Sequence, residues 1–428
     1  MNNRVELNIT EEAAEGLISE KSMGAALELV GCKLRPEQYL RDASADAIII
    51  FSNGIGDLNP LYRDQEYTRW TRFGGLIAHP CFPWTHHWPG RSYWGLPGVH
   101  GFGVTIDCEY YRNVRPGDRI NIWNRVLGIE QKHSKFSGKM AMQYLESTYT
   151  NQRDEVVCRA LGLTARHERK ASREKNKYKD VKTYVYTDAE RDAIDEKVMT
   201  EPQRIRGANT RYWEDVKVGD AIDEKVMTEP QRIRGANTRY WEDVKIGDPI
   251  DEIVRGPLSM SDTMAFVIAS GRGAAHGALL KHAARHPAHY IRNKEGGGGV
   301  EYTGIGHHRE DFAKKVGVPG MYDYLPQRAS WFVSAITNWM GDDGVIKRIR
   351  MEARKFNLQG DTTFINGKVV KKYLKDRCAL VDIEMTGINQ SGVLSSPGFA
   401  TVMLPAKDIN TKIPLDGTVV DLDLPPIR

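Results

Sequence analysis

The chain has 428 residues, of which 40% are hydrophobic and 27% charged, with a net charge of +4 at pH 7 and five cysteines. Such a length accommodates two or three globular domains, and a small net charge with Lys and Arg mixed among Asp and Glu argues against a surface dedicated to nucleic acid. The cysteines, at 32, 81, 108, 158 and 378, are scattered and lack C-x-x-C spacing; this argues against a disulfide framework or a thiolate metal site and fits reduced thiols in a cytoplasmic protein.

Residues 1–42 read as helical and amphipathic, with Thr10-Glu11-Glu12 as a helix start. Met1–Glu12 is polar and acidic, unlike a signal peptide, and no apolar run has the length of a membrane span. A helix is expected from Ser44 to about Phe51, running into the Gly-punctuated turn Gly54-Ile55-Gly56-Asp57-Leu58-Asn59-Pro60-Leu61-Tyr62. A second Gly pair, Phe73-Gly74-Gly75-Leu76-Ile77-Ala78-His79-Pro80, opens an apolar segment that continues to Trp88. Strands are expected at Gly103–Tyr111, Ile120–Trp123, Lys139–Tyr149 and Val156–Ala165, with turns at Arg115-Pro116-Gly117-Asp118 and Asn151-Gln152-Arg153-Asp154. Several antiparallel strands after one helix suit an α+β arrangement.

Residues 167–192 are charged and poor in large apolar side chains, as in a solvated connector. Residues 193–220 then recur as 221–248, with Val218 changed to Ile246. Two near-identical copies differ from a solenoid, which needs three or more, and point to a tandem duplication inside the linker. Only one copy can occupy the entry to the next domain. The second, through Trp241–Asp248, leads directly into it, so the first is expected to loop out. The expected organisation is therefore an N-terminal domain at 1–166, a linker at 167–240 and a C-terminal domain at 241–428.

In the last domain a helix is expected at Ser261–Ser270, followed by an irregular Gly-, Ala- and His-rich stretch to Gly299. Trp331, Ala335 and Trp339 recur at helical spacing, predicting a helix over Pro326–Met340 that ends at Gly341. Strands follow at Ile346–Phe356, Gly367–Leu374, Leu380–Thr386 and Gly398–Leu404.

The turn at 56–62 resembles the signature Gly-Asp-x-Asn-Pro-Leu-His of the MaoC-like dehydratases, the (R)-specific enoyl-CoA hydratase family, with Tyr62 in place of the final His. In the second half, Tyr322-Asp323-Tyr324 before Pro326-Gln327-Arg328 is similar to the two-domain acyl dehydratases of that family. The resemblance implies a double hot-dog fold, two antiparallel sheets each wrapped round a central helix. It also implies an acyl-CoA hydratase or dehydratase acting on an enoyl or 3-hydroxyacyl thioester, with no metal or redox cofactor, no membrane partner and a homo-oligomeric state.

Hydration of an enoyl thioester needs a base for water, a proton for the α-carbon and donors for the thioester oxygen. The family's Asp and His map here onto Asp57 and, by the His-to-Ala spacing up to Ala313, onto His307 in the other half, with His308 beside it. Asn59 and Tyr62 complete the catalytic set, although a phenol titrating near about 10 is a poor base at neutral pH. Pro80 stands where the family has an N–H donor and has none itself. Leu325 keeps one at the corresponding place of the second half. His79, Leu325, Tyr324 and Arg328 form the expected substrate-binding set, with Arg328 meeting a CoA phosphate or a substrate carboxylate or, alternatively, forming a structural ion pair. Where the second half lacks the family's carboxylate, Glu301, Asp311 and Asp323 are the available substitutes. Two arrangements stay open: one composite site with Asp57 opposite His307, or one catalytic half with altered partners. A non-catalytic thioester-binding subunit and a hot-dog thioesterase are the alternative functions. His276, His282, His286 and His289 lack a ligand pattern, so no metal is expected.

Overall fold

The computed structural model describes residues 16–38, 40–69, 71–85, 87–88, 95–96, 98–134, 138–175, 181, 183–204, 238–271, 283, 290–293, 299–302, 305–407, 417, 420 and 422. Ten strands form one sheet. They are β1 (Lys33–Leu34), β2 (His100–Tyr110), β3 (Asn121–Ser134), β4 (Gly138–Thr150), β5 (Val156–His167), β6 (Ile253–Arg255), β7 (Val345–Glu352), β8 (Thr363–Lys375), β9 (Cys378–Asn389) and β10 (Leu394–Met403). Their order is β1-β3-β4-β5-β2-β7-β10-β9-β8-β6, antiparallel at every pairing.

That order is two copies of one plan. Outward from the central β2–β7 pair, each half runs first, fourth, third and second strand, and ends on a short strand drawn from before its helix. The seam is pinned by a buried ion pair in which Arg348 donates to Asp107 through Nε (2.7 Å) and Nη2 (2.6 Å). This is the double hot-dog fold, an α+β architecture.

The helices that matter are α1 (Glu20–Leu27), α2 (Ala45–Gly54), α3 (Asp188–Arg204), α4 (Met260–Ala269) and α5 (Leu325–Met340). Ser44 caps α2 by accepting the Ala47 N–H, and Ser259 caps α4 in a reciprocal box with Asp262. The two helices cross closely. A Cβ on Gly54 would lie 2.2 Å from the Ala269 Cβ and 2.8 Å from the Ala265 carbonyl, so only glycine permits the approach. Every residue of α5 from Gln327 to Met340 is buried, because the second half of the sheet wraps it while the first half covers its open side. Gly341 ends it at φ 72°.

Three expectations change. Among the described residues the first half has no long central helix; Phe82–Thr85 makes a single turn in its place. Helical structure before residue 43 is confined to α1 among the described residues, with extended pairs at Lys33–Leu34 and Glu37–Gln38, and the start expected at residues 10–12 lies outside them. The described part of the first repeat copy is not a loop. It forms the end of α3, which docks on β6 through Arg255–Glu201 and Lys197–Glu252 ion pairs and buries Ile194. Second-copy residues enter the last domain, where Trp241 Nε1 donates to the Leu380 carbonyl and Arg239 Nε to the Trp339 carbonyl. No described helix is long and apolar enough to cross a membrane.

Candidate active site

The first-half motif folds on its own backbone before it meets anything distant. Gly56 takes φ 70°, and the Ser52 hydroxyl donates to the Asp57 carbonyl at 2.9 Å. Asp57 Oδ1 accepts the Asn59 N–H at 2.7 Å, and Asn59 Oδ1 accepts the Leu61 N–H at 3.0 Å, capping the short turn Pro60–Tyr62. One carboxylate oxygen of Asp57 is thus committed to the turn, and Oδ2 remains for longer-range partners.

Those partners come from two places. Ser334, in the middle of α5, donates to Oδ2 at 2.8 Å, and Nε2 of His79 lies 3.5 Å from the same oxygen. The His79 ring packs against Phe51 and edge-on against Tyr62 (5.2 Å between centroids). Its Nδ1 accepts the Cys81 N–H at 3.1 Å, so in the neutral ring the proton sits on Nε2, facing Asp57 and Ser334. Burial lowers the His79 pKa to about 4, against the opposing pull of Asp57. The imidazole is neutral at pH 7. Asp57 is 1% exposed and His79 0%.

His79 also borders a cleft of about 610 Å³, open mouth included, between the halves. Tyr62, Ile77, Pro80 and Tyr110 line its first-half wall, and Met340 and Ile346 its second-half wall. Tyr62, where the motif would have its histidine, is on the cleft wall, and the imidazole beside Asp57 is that of His79, 17 residues further along the chain.

The second-half residues gather elsewhere. His307 Nδ1 is 2.9 Å from the Tyr322 carbonyl, which makes it the proton-bearing nitrogen of the neutral ring, and the ring stacks on Tyr324 at 3.7 Å. His308 Nε2 is 3.0 Å from the Tyr324 hydroxyl. Asp57 does not meet His307. Asp57 docks on α5 at Ser334, whereas His307 sits at Tyr322 and Tyr324 before the helix begins, and ten helical residues separate those levels by about 15 Å. The composite Asp57–His307 pair is therefore not formed. Of the candidate substitute carboxylates, Glu301 and Asp311 pair with Arg309 and Asp323 pairs with Arg328.

Arg328 is likewise not a ligand contact. At 2% exposure it holds Asp323 in a bidentate pair and donates to the Lys355 carbonyl and the Ser396 hydroxyl. Burial pushes the Asp323 carboxyl up while Arg328 opposes it. Leu325 packs on the core with its side chain against Gly103. His276, His282, His286 and His289 lie outside the described residues, and among the described residues no three His, Cys, Asp or Glu side chains group as metal ligands.

Residues 28–160 match the family model described as FAS1-like, dehydratase domain region. A solved MaoC-like dehydratase superposes on 90% of this chain and 100% of its own at a TM-score of 0.57 and 16% identity. The chain has the MaoC-like dehydratase fold. A MaoC domain protein dehydratase from Chloroflexus aurantiacus J-10-fl covers 89% of this chain and 96% of its own at 12% identity, with a TM-score of 0.50. A Mycobacterium tuberculosis protein described as having a double hotdog fold covers 88% and 96% at 12% identity, with a TM-score of 0.46. No curated protein sequence matches the chain.

Asp57, His79 and Ser334 bring a carboxylate, a neutral imidazole and a hydroxyl together, with His79 on the wall of the cleft. Sequence reasoning placed His79 among substrate-binding residues and missed both its pairing with Asp57 and the part of Ser334. One signal for the latter was available. Ser330 and Ser334 are hydroxyls at i, i+4 on a helix otherwise rich in Trp, Phe, Val and Ile, the pattern of a buried polar stripe.

Proposed function

We propose that this protein adds water to, or removes it from, the 2,3 position of an acyl thioester, with the reaction at the first-half cleft and the acyl group carried on CoA. The observation that carries this reading is the Asp57–His79 pair, 3.5 Å apart, with His79 on the cleft wall. In hydration, Asp57 takes a proton from water as the water oxygen bonds to C3 of the enoyl group. Electron density moves toward the thioester oxygen, and Asp57 returns the proton to C2, so one molecule of water is added and the carboxylate is regenerated. His79, neutral with its proton on Nε2, and Ser334 both face that carboxylate and hold it in place. Tyr62 is the donor assigned to the thioester oxygen, which Pro80 cannot serve. Nothing in this sequence of steps draws on a metal or redox cofactor.

One observation favours a second reading, a half that binds an acyl thioester without turning it over. Both His79 nitrogens already face protein groups, Cys81 N–H on one side and Asp57 with Ser334 on the other. Incubation with crotonyl-CoA and bulkier enoyl-CoAs separates the readings. Loss of the conjugated thioester absorbance without thiol release supports the hydratase, thiol release indicates a thioesterase, and saturable binding without either indicates the binding subunit.

A further inference from the structure

We propose that the paired turns at Arg112–Asp118 and Asn151–Arg153 form a phosphate subsite that holds the phosphorylated end of the thioester's pantetheine carrier. The inference rests on the thioester reading of the cleft. A second pocket, lined by Arg112, Asn113, Arg115, Gly117, Asn151 and Arg153, adjoins the cleft, and the two share Arg112 and Asn113. The cleft beside His79 thus adjoins a pocket lined by three arginines. Arg115 ties the two parts together, because its Nη1 donates to the carbonyl of Phe73 on the cleft wall.

The backbone under each guanidinium is pinned. Arg112 N donates to the Val157 carbonyl, Arg115 N to Asp118 Oδ2, and Arg153 N to Asn151 Oδ1. Two carboxylates are nearby, Asp118 and Glu155, so the site keeps a net positive charge. Glu155 lies between Arg112 (3.3 Å to Nη2) and Arg153 (2.9 Å to Nε). Gly417 stands directly against the Arg112 guanidinium, where any side chain would collide with it. Guanidinium forks match phosphate oxygens in pairs, and three of them beside the cleft fit a pantetheine phosphate.

That phosphate can belong to CoA or to a carrier-protein phosphopantetheine, and the test separates them. Calorimetry measures binding of CoA, adenosine 3′,5′-bisphosphate, 4′-phosphopantetheine and pantetheine to the wild type and to Arg112→Ala, Arg153→Ala and Glu155→Gln. Each arginine variant is expected to weaken CoA binding roughly tenfold, with pantetheine unaffected, and Glu155→Gln to tighten it. Arginine-dependent binding of adenosine 3′,5′-bisphosphate assigns the site to CoA. Equal arginine dependence for CoA and phosphopantetheine, with no bisphosphate binding, assigns it to the carrier-arm phosphate. Unchanged CoA affinity in both arginine variants overturns the subsite even if enoyl-pantetheine is hydrated. Arginine-dependent CoA binding without hydration leaves the subsite standing and removes the reaction.

Discussion

The carboxylate of Asp57 and the hydroxyl of Ser334 are 2.8 Å apart across 277 positions of chain. The first half supplies the carboxylate and the second half a hydroxyl that donates to it, while His307 lies apart, at Tyr322 and Tyr324. Replacing Ser334 by Ala leaves Oδ2 short of a donor in a buried place, a loss of about 1–3 kcal/mol of interaction. We expect kcat for enoyl-CoA hydration to fall about tenfold with KM unchanged, and Asp57→Asn to lower it by about 10²–10⁴-fold. Steady-state rates from thioester absorbance decide this. Wild-type rates in Ser334→Ala would remove the second half from the chemistry.

His79 makes stability depend on pH in a definite direction. Burial, partly offset by Asp57, depresses its folded pKa from 6.5 to about 4, so the unfolded chain binds the proton more readily. The contribution is complete above about pH 6.5 and is lost as pH falls toward 4, on the order of 3 kcal/mol in all. His167, lowered to about 4 by burial and by the charge of Arg166, acts in the same sense. Thermal melts of His79→Gln between pH 4 and 7 should show a flatter dependence than the wild type. Parallel curves would mean that His79 is not held neutral.

Gly54 sets how closely α2 and α4 pack. A methyl group there must displace Ala269 or the backbone at Ala265, and overpacking of that kind costs about 1–3 kcal/mol. Gly54→Ala should lower the denaturation midpoint without changing the slope of the transition, as read by chemical denaturation. An unchanged midpoint would show that the helix pair yields at no cost.

Arg328 separates a structural role from a ligand contact. Removing it strands Asp323 in the core, and breaking such a buried pair costs about 3–5 kcal/mol, whereas replacing both partners by apolar residues of similar volume is close to neutral. Arg328→Met should be strongly destabilised, and the double variant Asp323→Leu with Arg328→Met should recover, with KM for enoyl-CoA near wild type. A raised KM in the recovered double variant would return Arg328 to the ligand.

Much of the architecture was legible because it is written in short periods. Strand runs at Lys139–Tyr149 and Val156–Ala165 on either side of the Asn151–Asp154 turn placed β4 and β5, and Trp331, Ala335 and Trp339 at helical spacing placed α5 and its end at Gly341. The first half's missing helix was not legible, since an apolar run such as Leu76–Trp88 reads alike whether it coils or extends. Nor was the docked α3, whose charged sequence reads as solvated until its partners Arg255 on β6 and Glu252 just before it are in view.

By itself the sequence determined the Gly56–Tyr62 turn, whose hydrogen bonds run between residues two to five positions apart and need no other part of the chain. Tertiary structure alone decided which imidazole meets Asp57, which hydroxyl holds it, and that Arg328 faces inward. Those contacts follow from how the two halves of the sheet join at the β2–β7 seam and at what level α5 passes the turn. Periodicity in the order of residues marks at most the polar stripe of Ser330 and Ser334 and does not say what that stripe meets.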